Sequence, residues 1–124
     1  MISTNITPEL VTHSAVGETT LTQVTEAMRC WYSHPEFDPG TPILWDVREA
    51  TMGLPDDDLE AWSDSNRPVI NELRSGRKTA WVFSDPEAAE FTSNLLAAHD
   101  WQHKVRIFND DIEAAKAWLA STIK

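Results

Sequence analysis

Asp46 and Arg48 stand two residues apart at the end of a short apolar run, Ile43-Leu44-Trp45. Ser84 and Asp85 follow a second run, Thr79 to Phe83, and Asn109 and Asp110 follow a third, Lys104 to Phe108. If these runs are neighbouring strands, one edge receives a guanidinium, a hydroxyl and several carboxylates. Such a set could contact a polar ligand or a partner, or could move a proton if its pKa values were shifted. In open α/β sheets, ligands bind outside the carboxyl ends of the strands, where these residues fall. Asp46, Arg48, Ser84 and Asp85 are therefore the candidate ligand or partner contacts. Each also has a plain structural use. Ser84, Asp85, Asn109 and Asp110 are helix-capping types, and Asp46 with Arg48 can form an ion pair that fixes a loop.

Other chemistry finds less support. The histidines are His13, His34, His99 and His103, and no two share the four-residue spacing of a helical ligand pair. Zinc needs three or four converging ligands, so scattered structural or exposed histidines are the simpler account, and no metal site is expected. Cys30 neighbours Met28 and Trp31, with Arg29 the only basic residue nearby, and reads as a packed or half-buried thiol rather than a nucleophile. A lone cysteine also rules out an internal disulfide. No G-x-G-x-x-G, G-x-x-x-x-G-K-[ST] or G-x-S-x-G occurs, so neither a phosphate-cradling loop nor a nucleophile elbow is expected. No cofactor is implied.

The elements that must position the candidates alternate between strand and helix patterns. Ile2 to Ile6 can pair with a strand over Leu10 to Val16, which Gly17 ends. Thr20-Leu21-Thr22-Gln23 is a capping box, and Leu21, Val24, Met28 and Trp31 then recur at helical spacing. This helix stops before His34-Pro35, and Phe37-Asp38-Pro39-Gly40 makes a turn. Pro42 to Val47 is a buried strand, followed by a loop from Asp46 to Leu54. Pro55 and Asp56-Asp57-Asp58 open a helix carrying Leu59, Trp62, Val69, Ile70 and Leu73, kinked or broken at Pro68 and stopped at Gly76. Thr79 to Phe83 is the strongest strand signal. Ser84-Asp85-Pro86-Glu87 starts a helix whose face is Ala88, Phe91, Leu95 and His99. After the strand Lys104 to Phe108, Asn109-Asp110-Asp111 caps a final helix with Ile112, Ala115, Trp118, Leu119 and Thr122 on one face. Strands joined by helical crossovers run parallel with right-handed connections. Trp118→Ala should cost about 3–5 kcal/mol if that ring is buried.

Composition bounds the function. The chain has 124 residues, 41% hydrophobic and 24% charged, which suits one folded domain over 1–124. Its formal net charge of −10 disfavours nucleic acid and anionic membrane surfaces. The first residues lack the basic and apolar segments of a signal peptide, and no apolar run is long enough to span a membrane, so a cytoplasmic setting is expected. Six tryptophans could line an apolar pocket. Core packing explains them better, because Trp31, Trp62 and Trp118 fall on helix core faces and Trp45 and Trp81 on strands. Trp101, in a loop, is the one expected to be exposed.

Several stretches, in their order and spacing, resemble the SpoIIAA-like, STAS-type domain family, above all its small stand-alone bacterial members of unassigned function. They are Gly17 followed by a helix; His34-Pro35-Glu36-Phe37-Asp38-Pro39-Gly40 leading into Ile43-Leu44-Trp45-Asp46-Val47-Arg48; Arg77-Lys78-Thr79-Ala80-Trp81-Val82; and Arg106-Ile107-Phe108 with Glu113-Ala114-Ala115-Lys116-Ala117-Trp118-Leu119. The resemblance implies an α/β fold of (βα) repeats, with a four- to five-stranded, mostly parallel sheet and helices chiefly on one face. It implies no known chemistry. Phospho-switch members of the wider family carry a serine at a position that falls here among Leu54-Pro55-Asp56-Asp57-Asp58, where no serine stands. A phosphate beside three carboxylates would also be repelled. The expected function is a non-catalytic binding or regulatory module that contacts a protein partner or a second copy of itself. The alternative is a small apolar-ligand or lipid binder of CRAL-TRIO-like type, a similar fold whose activity has no motif here. An enzyme using Asp46, Arg48 and Asp85 is the least supported reading.

Overall fold

A computed structural model describes residues 1–38, 40–51, 78–90, 93 and 104–121. The helix expected over 55–76 with its Pro68 kink, the positions of Phe91, Leu95, His99, His103, Trp62, Trp101 and Thr122, and the segment 54–58 lie outside the described residues. Five strands form one sheet in sequence order: β1 (Ile2–Ile6), β2 (Val11–Glu18), β3 (Ile43–Thr51), β4 (Lys78–Phe83) and β5 (Lys104–Asn109). β1 runs antiparallel to β2, and the remaining neighbours are parallel. Between them lie helix α1 (Leu21–Tyr32) and a helical turn at 86–90, and helix α2 (Ile112–Ala120) follows β5.

Strand alternation gives the sheet two apolar faces. On the first, Val11, Ile43 and Trp45 meet Val24, Met28 and Trp31 of α1, while Ala15, Val47 and Phe83 meet Ala89 of the turn at 86–90. On the second, Leu44, Ala80 and Val82 meet Ala115 and Leu119 of α2. Right-handed crossovers between consecutive parallel neighbours must share a face. The described crossover segments, α1 and the turn at 86–90, accordingly lie on one side, and α2 covers the other.

α1 begins as its sequence dictates. Thr20 Oγ1 accepts from Gln23 N at 3.2 Å, and Gln23 Oε1 accepts from Thr20 N at 3.0 Å. Val24, Met28 and Trp31 are buried, and the helix ends at Tyr32 with Ser33 as its cap, ahead of Pro35. Cys30 corrects an expectation: it is exposed. Residue 30 lies two positions, or about 200° of helical turn, beyond Met28, which directs it away from the sheet.

β2 and β3 overrun their expected ends. β2 continues through Gly17, at φ 75°, to Glu18, and β3 continues to Thr51 instead of giving way to a loop after Asp46. β3 pairs with β4 only from Ile43 to Asp46, so among the described strands its last residues have β2 alone as a neighbour.

The last helix is capped by Asp111, whose Oδ1 accepts from Ala114 N at 2.9 Å. Asn109 closes β5, and Asp110 sits at φ 60°, a left-handed conformation that Asp tolerates better than most residues. Neither is the cap. Trp118 is half-buried rather than buried. Its ring lies 5.2 Å from Lys78 Nζ and 6.2 Å from Phe108, at the sheet's margin. Lys78 Nζ also donates to the carbonyls of Trp118 and Ser121, closing the helix end with a cation. Trp118→Ala should therefore cost about 1–2 kcal/mol, below the 3–5 kcal/mol range for a ring fully removed from water. Urea denaturation checks this, and a loss of about 4 kcal/mol would place the ring in the core.

Candidate functional site

β3, β4 and β5 all deliver their carboxyl ends to one edge of the sheet. Asp46, in register with Ser14 on β2 and Val82 on β4, is the last residue of β3 held between two strands. The β2–β3 register then shifts: Ala15 alone stands where β3 has Val47 and Arg48. This bulge carries β3 past the end of β4 and folds Arg48 back on Asp46.

The pair is bidentate. Arg48 Nε donates to Asp46 Oδ1 and a terminal guanidinium nitrogen to Oδ2, each at 2.9 Å, and the Arg48 amide donates to Oδ1 at 3.3 Å. The Arg48 side chain is 33% exposed and that of Asp46 20%. The guanidinium bonds hold the Asp46 carboxyl below its usual range, against the opposing effect of burial and helped by the Arg48 amide and by the positive charges of Arg48 and Lys116. The same bonds raise Arg48, and the negative charges of Asp46, Asp110 and Glu49 add to this.

Ser84 joins the pair from β4. Its hydroxyl donates to the Arg48 carbonyl at 2.6 Å, tying the overhanging end of β3 to the chain leaving β4. This replaces the capping role expected of Ser84. Asp85 is the cap: its Oδ1 accepts from Glu87 N at 3.0 Å, and its carbonyl accepts from Ala89 N at 3.0 Å. Across the edge, Asp110 N donates to the Phe83 carbonyl at 2.6 Å. The structure thus links Asp46, Arg48 and Ser84 directly and commits Asp85 to its own helix. Sequence reading missed Lys116 and Glu49, whose charges act on the pair. Lys116 reaches it from α2, and only the packing of that helix on the second face could reveal this.

A carboxylate locked to arginine and held below its usual range is poorly suited to general-base work near neutral pH. Among the described residues, no group of three or more His, Cys, Asp or Glu side chains could hold a metal ion, and no helix is long and apolar enough to cross a membrane. Asp46, Arg48 and Ser84 instead form a fixed polar surface, with one cation and one anion partly open to water.

No protein-family model matches the chain, and no curated protein matches it in sequence. One solved structure is similar over 97% of this chain and 93% of its own, with a TM-score of 0.58 at 16% identity. It is an uncharacterized protein of the DUF3478 family from Shewanella loihica PV-4, described as having a SpoIIAA-like fold. The strand order, the parallel core with one antiparallel margin and this similarity agree, and the chain has a SpoIIAA-like fold.

Proposed function

We propose that the chain is a non-catalytic binding or regulatory module that works through protein–protein contact at the carboxyl-end edge of its sheet. The observation that carries this reading is the Asp46–Arg48 pair. It is immobilised by bidentate geometry and by the Ser84 bond, yet remains partly exposed. A preorganised charged pair loses little entropy when a partner docks on it, and it selects partners by charge. Asp85, beside Ser84, belongs to the same proposed contact surface. A net charge of −10 favours a protein partner over nucleic acid.

Arg48→Ala tests the reading. It removes the exposed cation and leaves Asp46 with its Arg48 amide bond. Affinity capture from native lysate with the unaltered chain should yield a defined partner, and Arg48→Ala should weaken that capture about tenfold or more while the fold is retained by circular dichroism. A partner that binds both forms equally, or no partner at all, would overturn the assignment of this edge. The alternative of an apolar ligand draws less support, because Trp31 and Trp45 are buried among core side chains.

A further inference from the structure

We propose that β1 is a self-association edge, through which two copies of this chain pair strand to strand about Thr4 into one continuous sheet. The inference is independent of the partner proposed at the carboxyl ends of the central strands.

The two outer strands of the sheet are built differently. β5 carries the charged Arg106, a usual protection against edge-to-edge pairing. β1 reads Ile2-Ser3-Thr4-Asn5-Ile6, with no charge, no proline and an unbroken register along β2. In a chain of net charge −10, it is a neutral seam.

The hydrogen-bond phase shows which groups β1 turns outward. Met1 N donates to the Val16 carbonyl and Val16 N to the Met1 carbonyl, both at 2.9 Å, and Thr7 N donates to the Leu10 carbonyl at 3.0 Å. Alternation along an antiparallel pair then gives the backbone groups of Ser3 and Asn5 to β2 and turns those of Ile2, Thr4 and Ile6 to the outer edge, where no described strand follows.

That phase, together with the side-chain order, selects a second copy as the occupant. A two-fold axis at Thr4, perpendicular to the sheet, sets Thr4 against Thr4, Ile2 against Ile6 and Ser3 against Asn5 of the other copy. The three outward-facing residues then meet outward-facing residues and can exchange reciprocal backbone bonds. The two isoleucines, each packed at the margin of the α1 core, extend that apolar face across the junction. A shift by one residue would oppose outward-facing groups to groups already bonded to β2, so the phase forbids it.

Ser3 and Asn5 are exposed and alternate with Ile2, Thr4 and Ile6, so they face away from α1 and can be changed without touching its core. Sedimentation velocity and light scattering of the full chain, from micromolar to millimolar concentration, should show a reversible monomer–dimer equilibrium. The double variant Ser3→Lys/Asn5→Lys places like charges directly opposite across the junction and should weaken the dimer about tenfold or more. Ser3→Glu/Asn5→Lys places opposite charges there and should restore it, with all three monomers melting alike. A chain that stays monomeric throughout, or a dimer indifferent to both double variants, would overturn the proposal.

Discussion

Replacing Trp45 by alanine is expected to lower the free energy of unfolding by about 3–5 kcal/mol, the range for a fully packed aromatic residue. Trp45 is 2% exposed and sits on the central strand of the sheet. Its ring stacks on Trp81 at 4.7 Å with the planes 4° apart, and on its other side His13 lies 4.2 Å away. The three residues are in register across β2, β3 and β4, so they form one row of rings beneath the helical layer. The stacked Trp45–Trp81 pair adds about 1 kcal/mol beyond the area it buries. Alanine would open a void that neighbouring rings fixed to separate strands cannot collapse to fill. A chain of this length has a total stability of about 6–19 kcal/mol, so the loss is a large fraction of the whole. Urea denaturation measures it, with Trp118→Ala as the internal contrast. A Trp45→Ala cost below about 1 kcal/mol would mean that the row is not packed as described.

Acidification should destabilise the fold through His13. The residue is 1% exposed, and burial lowers its pKa from 6.5 to about 4. Its folded value lies below its unfolded value, so between these limits the unfolded chain binds more protons. The contribution is complete above about pH 6.5 and is lost as pH falls toward 4, by about 3 kcal/mol in all. Asp46 adds a separate, lower window. Its carboxyl is depressed in the folded chain by Arg48, so its stabilisation holds above about pH 4 and is lost below that as it protonates.

The ring environment explains why protonation is resisted. His13 Nδ1 lies 2.8 Å from Thr4 Oγ1, whereas the buried Nε2 has no hydrogen-bond partner among the described residues. A charged ring would bring a second N–H to a place where no described group accepts it. His13→Phe should therefore flatten the stability profile between pH 4 and 6.5. At neutral pH it should cost little, since it removes an unsatisfied nitrogen and keeps an aromatic ring against Trp45. Denaturation curves taken at intervals of pH decide this. An equal slope in the variant would assign the acid sensitivity elsewhere.

The parts of this fold legible in the sequence are those fixed by short-range chemistry. Thr20 and Gln23 make their capping box within one turn, and Val24, Met28 and Trp31 declare a helix face by spacing alone. The run Ile43 to Trp45 is apolar on both sides because both faces of β3 are covered. The extension of β3 to Thr51 was not legible, because Arg48, Glu49 and Thr51 carry the composition of a loop. They become a strand only because β2 runs beside them. The candidate site was half legible. That Asp46, Arg48 and Ser84 share an edge follows from strand order. That the Ser84 hydroxyl binds the Arg48 carbonyl depends on a bulge between distant segments, which no local pattern records. Cys30 was legible on a helical wheel and was misjudged from its neighbours in sequence instead of its angle.

Consecutive strand order also bears on how the molecule is made. Each strand hydrogen-bonds to the strand next to it along the chain, so no strand must be threaded between two that are already paired. During synthesis, β1 and β2 can close as a local hairpin, and each later strand can then add to a growing margin. The sheet is thus topologically suited to vectorial assembly from its amino end, with the margin that awaits the next strand always the one nearest the ribosome.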